Sequence, residues 1–158
     1  DKELSICGTN IEEFIDEPSD VVSRRMVPEH NNAIRHFSKK RNPFNHMSVM
    51  FKRSVVLQVG NYQPMQSFED YYLWARLLKA GHKAYNIQEF LVKARVGRDL
   101  YKRRGGWHYL IVGIRGRVAV YRAGLGNFYD FLVSTSIHTI VSLMPNRLRA
   151  KLYQEALH

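Results

Sequence analysis

The sequence predicts an α/β fold in its first part and a mostly helical region after it. Short apolar runs with strand character lie before residue 97, and segments whose apolar residues recur at helical spacing lie between them. After residue 98 the chain carries long basic and apolar segments without strand character. The chain of 158 residues therefore divides into an α/β portion, residues 1–97, and a basic and amphipathic helical region, residues 98–158.

The first three elements follow from local pattern. Residues 4–17, LSICGTNIEEFIDE, predict two short strands on either side of Gly8. Residues 29–40 predict a short helix, because Ala33, Ile34 and Phe37 share one side of it. Residues 46–51, HMSVMF, predict a short strand.

Two helices and two strands are expected next. The sequence KRSVVLQVG predicts a helix that ends at Gly60. Residues 67–83, SFEDYYLWARLLKAGHK, predict an amphipathic helix that ends at Gly81, with Ser67 and Asp70 spaced as a capping box. Its apolar stripe consists of Leu73, Trp74, Leu77 and Leu78. The runs HKAYNI and FLVKARV then predict two separate strands.

The C-terminal region combines a basic and an apolar segment. Arg98 to Arg122 is basic and helical, with an interruption at Gly105-Gly106. Leu125 to Met144 is apolar and long enough to span a bilayer, but its polar residues argue against a simple span. A helix in the membrane interface and a helix packed on the core remain alternatives. The last residues, NRLRAKLYQEALH, predict a short amphipathic helix.

The charge is uneven and points to an anionic partner. The net charge is +10, and nine Lys and Arg residues against one Asp fall between Lys93 and Arg122. Such a segment suits a nucleic acid, an anionic membrane surface or ligand phosphates, and the alternative is a solvated basic face. No zinc-finger spacing, RNA-recognition motif or clear helix-turn-helix is present, so we expect no nucleic-acid partner. The single cysteine, Cys7, excludes an intrachain disulfide and a thiolate metal site.

Two adjacent carboxylates, Glu69 and Asp70, start the helix of residues 67–83. Acidic residues in a first helical turn are stabilised by the helix dipole, which explains the pair without any chemistry. A carboxylate in this position is equally suited to accept a proton from a hydroxyl that attacks an electrophile. Both explanations remain open on local grounds.

Other polar residues form two further candidate sites. Asn45, His46 and Ser48 lie at or within the predicted strand, and strand alternation would put His46 and Ser48 on one face. A histidine satisfied by a backbone carbonyl is the structural alternative. The basic candidates for phosphate binding are Arg95, Arg103 and Arg104. No second histidine stands at ligand spacing, so we predict no metal site.

The segment NPFNHMSVMFKRSVVLQVGNYQ, followed by FEDYYLWARLLKAGHKAYNIQEFLVKARVG, resembles the second half of a bacterial family-2 glycosyltransferase. The match in order and spacing covers about residues 40–105, and Glu-Asp-Tyr-x-Leu-Trp is its most specific piece. The resemblance implies part of a GT-A fold, a mixed sheet with flanking helices. Residues 1–97 would then be the acceptor-side half of that domain.

The resemblance also implies roles for the candidate residues. Asp70 falls on the catalytic base of an inverting transfer and Glu69 on its acidic neighbour. Substrate contacts would come from Asn45, His46 and Ser48, with Arg95 as a plausible phosphate or acceptor contact. We also expect Trp74 to contact substrate, and Arg103 and Arg104, on their charge alone, to be weaker phosphate contacts. The implied substrates are a nucleotide-sugar donor and a glycan acceptor that is expected to be lipid-linked.

One departure from the family pattern is the absence of an Asp-x-Asp motif. The resemblance implies a divalent metal, Mg or Mn, in the complete enzyme, with ligands that this chain lacks. We therefore expect a glycosyltransferase piece that is inactive alone, from an enzyme of cell-surface polysaccharide biosynthesis. We expect it in the cytoplasm, peripheral at the inner face of the cell membrane. The alternative is a non-catalytic binding or regulatory module that keeps the fold.

Overall fold

The computed structural model describes residues 3–97 and 104–156. Within them, a four-stranded sheet is formed by β1 (Leu4–Phe14), β2 (Val21–Arg25), β3 (Met50–Phe51) and β4 (Lys83–Arg95). β4 runs parallel to β1 along one edge, whereas β2 and β3 pair antiparallel with successive stretches of its other edge. The sheet is mixed, as the resemblance implies.

Helices flank the sheet and then dominate the chain. Those between the strands are α1 (Asn31–Phe37), α2 (Arg53–Gln58) and α3 (Glu69–Lys79). Those after the sheet are α4 (Trp107–Arg122), α5 (Phe128–Leu143) and α6 (Asn146–Ala156). This order confirms the α/β fold class with a mostly helical C-terminal region, while the domain division at residue 97 stays a prediction.

Helix α3 is buried on two sides. Its predicted stripe packs into the main core with Ile6, Phe44 and Ala84, and all four stripe residues are at most 1% exposed. The other side was not expected to be buried. There Tyr71 and Ala75 contact Val120 of α4. The sheet and α4 together therefore fix where α3 begins.

Three strand predictions need correction. Residues 4–14 form one strand that passes through Gly8 without a break. The two strands expected after Gly81 are one strand, β4, whose register moves from Ile87 opposite Thr9 to Phe90 opposite Asn10. This bulge interrupts the apolar alternation, which is why the sequence suggests two strands.

The third correction concerns residues 46–51. His46–Ser48 form a 3-10 turn, and only Met50–Phe51 are extended, with Met50 77% exposed. His46 and Ser48 therefore do not share the face of a strand. An apolar run this short cannot be distinguished from a turn by periodicity alone.

The helix ends are partly as predicted. Gly60 and Gly81 follow α2 and α3 with positive φ angles of 86° and 90°. The capping box of Ser67 is wrong, because Ser67 itself has a φ of 60° and no side chain caps α3. A capping box occurs instead at the start of α5, between Asn127 and Asp130.

Candidate active site

Asp70 lies in the first turn of α3 at the edge of an open cleft. Its Oδ2 accepts a hydrogen bond from Asn42 Nδ2 at 2.8 Å. Its Oδ1 accepts one from the backbone N–H of Tyr71 at 2.6 Å. The side chain is 19% exposed. The carboxylate is thus held in one orientation and can still be reached from solvent.

His46 stands beside this carboxylate. Its Nδ1 lies 3.8 Å from Asp70 Oδ2, and about half of its side chain is exposed. The ring of Tyr62 approaches the imidazole with a centroid distance of 6.1 Å. Burial, followed by the negative charges of Asp70 and Glu69, raises the pKa of the Tyr62 hydroxyl. Glu69 is exposed next to Asp70, so two carboxylates and two polar rings share this corner.

Three residues predicted to contact substrate make contacts within the protein, and their substrate role stays a prediction. Asn45 is fully buried, and its Nδ2 donates to the carbonyl of Thr9 at 2.8 Å. The Ser48 hydroxyl accepts from the Thr9 N–H at 3.0 Å and so fastens the 3-10 turn to β1. Trp74 is 0% exposed and packs beneath the ring of His46, with 6.2 Å between ring centroids. The contacts of Asn45, Ser48 and Trp74 hold the 3-10 turn in place. Of the three residues predicted in this segment, only His46 therefore reaches Asp70.

The predicted arginines lie in different places. Arg95, at the end of β4, donates to the backbone carbonyls of Ile15 and Asp16 and lies over the ring of Phe14. It is not among the residues that line the Asp70 cleft. Arg104 does line this cleft. Arg103 lies outside the described residues.

The cleft has a volume of about 300 Å³ and a strongly positive lining. Five cationic side chains from β2, the loop after α1, the segment before α4, and α4 line it together with Asp70: Arg25, Lys40, Arg41, Arg104 and Arg117. Burial, and then the charges of Arg41 and Arg104, lower the pKa of Arg25. A cleft with this many positive charges favours an anionic ligand.

Helix α4 braces the start of α3 next to this cleft. A Cβ at Gly116 would collide with the ring of Phe68, the residue that immediately precedes α3. The Arg117 guanidinium lies 5.6 Å from the centre of the same ring. Because Phe68 is two residues before Asp70, this close approach of α4 helps to position the carboxylate.

Sequence reasoning missed Asn42 and four of the five cations, namely Arg25, Lys40, Arg41 and Arg117. Arg41 and Asn42 directly precede the Pro-Phe-Asn-His segment, so their position next to a candidate site could have indicated them. Arg25 and Lys40 belong to residues 1–40, which are slightly acidic, and nothing in their local pattern indicates the cleft. Arg25 joins it by donating to the Asn42 carbonyl at 3.2 Å.

The residues present do not fit a divalent metal. Among the described residues, no group of three or more His, Cys, Asp or Glu side chains could hold a metal ion. The cleft around Asp70 is lined by five cations, which would repel one. The carboxylate in this chain is therefore suited to accept a proton or a hydrogen bond.

Comparison with known proteins gives consistent results. The chain is 34% identical over 155 residues to the UDP-Gal:alpha-D-GlcNAc-diphosphoundecaprenol beta-1,3-galactosyltransferase of Escherichia coli, with 98% of this chain and 56% of that protein covered. It is 34% identical to the amylovoran biosynthesis glycosyltransferase AmsE of Erwinia amylovora, with 97% and 57% covered. It is 37% identical to an uncharacterized glycosyltransferase of Haemophilus influenzae, with 98% and 57% covered.

No protein-family model matches the chain, and no solved structure matches it significantly. The chain spans 56–57% of the length of these three relatives. Almost all of it is aligned in each of these three matches. By sequence, the chain is thus a relative of bacterial glycosyltransferases.

Proposed function

We propose that this chain is the acceptor side of an inverting, family-2 type glycosyltransferase that transfers a sugar from a nucleotide-sugar donor to a lipid-linked saccharide. The observation that carries the proposal is the Asp70 carboxylate, oriented by Asn42 at the edge of a cleft lined by cations. The names of two relatives support it, since one acts on a lipid-diphosphate acceptor and the other belongs to amylovoran biosynthesis.

In the proposed reaction Asp70 is the general base. An acceptor hydroxyl gives its proton to Oδ1 or Oδ2 while its oxygen forms a bond to the anomeric carbon of the donor sugar. The bond between that carbon and the diphosphate oxygen breaks, and the nucleoside diphosphate leaves with the electron pair. Attack from the face opposite the leaving group inverts the anomeric configuration.

The neighbours of Asp70 have supporting roles. The Asn42 amide holds Oδ2, so the carboxylate does not have to reorient as it accepts the proton. His46 is half exposed within 4 Å of the carboxylate and can donate a hydrogen bond to a sugar hydroxyl. Trp74 supports this ring from below.

The divalent metal that the resemblance implies would neutralise the leaving diphosphate. Because the described residues do not fit it, we propose that its ligands lie outside this chain and assign it no step here. We further propose that the enzyme works at the inner face of the cell membrane, where a lipid-linked acceptor is embedded. None of the described helices combines the length and the apolar character that crossing a bilayer needs.

A transfer assay tests the proposed function. The full-length natural protein is incubated with a panel of sugar nucleotides, Mg²⁺ or Mn²⁺, and a synthetic saccharide-diphosphate-lipid. We expect one donor to add a single sugar, detected by mass spectrometry, with an anomeric configuration opposite to that of the donor by NMR. Binding of the acceptor without transfer from any donor would instead support the non-catalytic module, and retention of configuration would refute the inverting mechanism.

A further inference from the structure

Helix α5 has the reverse of the usual polarity. Its buried positions include four polar or charged residues: Asp130, Ser134, His138 and Ser142. Its exposed positions include large apolar residues that are 49–66% exposed: Phe128, Tyr129, Leu132, Ile137, Ile140 and Leu143. An exposed apolar face of this kind marks an interaction surface.

Hydrogen bonds fix α5 in this orientation. Arg117 Nε donates to the carbonyl of Ser134 at 3.1 Å. Buried Arg149 donates to the carbonyls of Val141 and Ser142 at 2.9 and 3.1 Å. Rotation of α5 to bury its apolar face would break these bonds and leave buried polar groups unsatisfied. These hydrogen bonds therefore keep the apolar face of α5 exposed in the folded protein.

A second cavity connects the cationic cleft with this face. Its volume is about 320 Å³, and it shares Lys40, Arg41, Tyr109 and Arg117 with the cleft. The rest of its lining comes from α5 and includes Ile137 and Val141. Ile137 is also part of the exposed apolar face. The cleft and the second cavity thus form a path from Asp70 to the surface of α5. Its lining changes along the way from a carboxylate to cations and then to apolar side chains.

We propose that this path binds one amphiphilic molecule, a saccharide joined through a diphosphate to a polyprenyl chain. The saccharide hydroxyl lies at Asp70, and the diphosphate lies at the cations that both cavities share. The lipid chain leaves past Ile137 along the apolar face of α5. This proposal rests on the proposed function and deepens it by assigning the acceptor's diphosphate and lipid to particular side chains.

The position of the cations relative to Asp70 distinguishes the acceptor's diphosphate from the donor's. In an inverting displacement the base and the leaving group stand on opposite sides of the anomeric carbon. Arg41 and Arg117 line the cleft that holds Asp70 and also the cavity that reaches the apolar face of α5. A diphosphate between a saccharide at Asp70 and a lipid at α5 is the acceptor's, and we therefore assign these cations to it.

The first arm of the test measures the KM of the full-length natural protein for both substrates. Arg41→Gln is compared with Arg53→Gln, an exposed control at the start of α2 that lies outside both cavities. We expect Arg41→Gln to raise the KM for saccharide-diphosphate acceptors at least about tenfold, with donor KM within twofold, because it removes a charge-assisted contact. It should not change the KM for an alkyl glycoside that lacks the diphosphate.

The second arm varies the lipid. Ile137→Gln is compared with Leu57→Gln, a matched control on α2 whose exposure is 48% against 52% for Ile137. We expect Ile137→Gln to raise the KM for a long-chain polyprenyl acceptor severalfold and to leave a short-chain acceptor unchanged. Thermal unfolding of each variant confirms that both surface substitutions leave the fold intact.

The outcomes separate this inference from the proposed function. A donor KM that rises in Arg41→Gln while the acceptor KM stays constant would assign the cleft to the donor's diphosphate and overturn the inference. The same holds if Ile137→Gln affects long and short acceptors alike. In both cases the unmodified protein still transfers the sugar. If the unmodified protein transfers no sugar at all, the proposed function itself is wrong.

Discussion

Asp70 illustrates how one residue can satisfy two requirements. A carboxylate in the first turn of α3 is stabilised by the helix dipole, and Asp70 also accepts the Tyr71 N–H. These features explain a helix start, and the same fixed position suits a base. Its other partner, Asn42, is 28 residues away in the chain, so only the folded structure reveals that contact.

The residues expected to contact substrate differ in where their side chains point. His46 faces the carboxylate, whereas Asn45 and Ser48 hold the turn to the backbone of Thr9. Neighbouring polar residues in a turn point in different directions, and which of them faces the cleft depends on contacts with a distant strand. Sequence spacing identifies the segment but cannot assign these directions.

His138 gives a prediction about pH. Burial, and then the positive charge of Arg117, lower the pKa of its imidazole to about 4. The unfolded chain, with a pKa near 6.5, binds a proton between pH 6.5 and 4 that the folded chain does not bind. Stability is therefore complete above about pH 6.5 and falls as the pH drops toward 4, by up to about 3 kcal/mol.

Urea unfolding at pH 7.0 and 4.5 measures this effect in the full-length protein. We expect His138→Gln to lose less stability over that interval than the unmodified protein. Protonation of carboxylates lowers the free energy of unfolding of both proteins equally, so it cancels in the comparison. An equal loss in the two would show that His138 does not control this pH dependence.

At the scale of elements, the two glycines inside α4 allow neighbouring parts to approach closely. A Cβ at Gly113 would collide with the ring of His138 on α5, and one at Gly116 would collide with Phe68. We expect Gly116→Ala to destabilise the protein by about 2 kcal/mol through overpacking, although alanine is the better helix former. The change should also lower kcat, because Phe68 positions the start of α3.

Urea unfolding and steady-state kinetics test this pair of effects. Ser136→Ala, at an exposed position on α5, is the control and should stay within about 0.5 kcal/mol of the unmodified protein. A Gly116→Ala protein with unchanged or greater stability would mean that α4 does not need this close contact with Phe68.

The apolar face of α5 predicts membrane attachment. Leu132 and Ile140 are 50% and 62% exposed on that face, and the protein carries a net charge of +10. We expect Leu132→Gln with Ile140→Gln to reduce binding to anionic vesicles at least about tenfold, since each change removes apolar surface worth about 1 kcal/mol or more. Flotation of the full-length protein with vesicles measures it.

Val22→Gln with Leu57→Gln is the matched control, because these residues are 51% and 48% exposed on other elements. It should float like the unmodified protein. If the α5 double variant floats equally well, the face binds something other than a lipid surface.

The elements differ in how well the sequence predicts them. Strong helical periodicity gives α3, and the prediction of Gly60 and Gly81 as helix ends is confirmed by their positive φ angles. The bulge in β4 interrupts the apolar alternation of its sequence, so the sequence predicts two strands where the structure has one. The reversed polarity of α5 cannot be read from composition, because it depends on the partners of Ser134 and His138 in α4.

At the scale of the whole molecule, two layers meet at the cleft. The sheet and its helices supply Arg25, Asn42 and Asp70, while the C-terminal helices supply Arg117 and the apolar surface of α5. Neither part alone contains the proposed site. The sequence predicts both parts and the base, but the joint lining arises only when α4 packs against α3.

The most direct test of the account is the turnover of Asp70→Asn in the full-length protein. The substitution keeps the shape of the side chain and removes its ability to accept the proton. We predict that kcat falls at least about a hundredfold, while the KM of the acceptor and the unfolding midpoint change little. Asp20→Asn, the same substitution at an exposed position outside the cleft, is the control. Turnover of Asp70→Asn near that of the unmodified protein would contradict the central claim that Asp70 is the base.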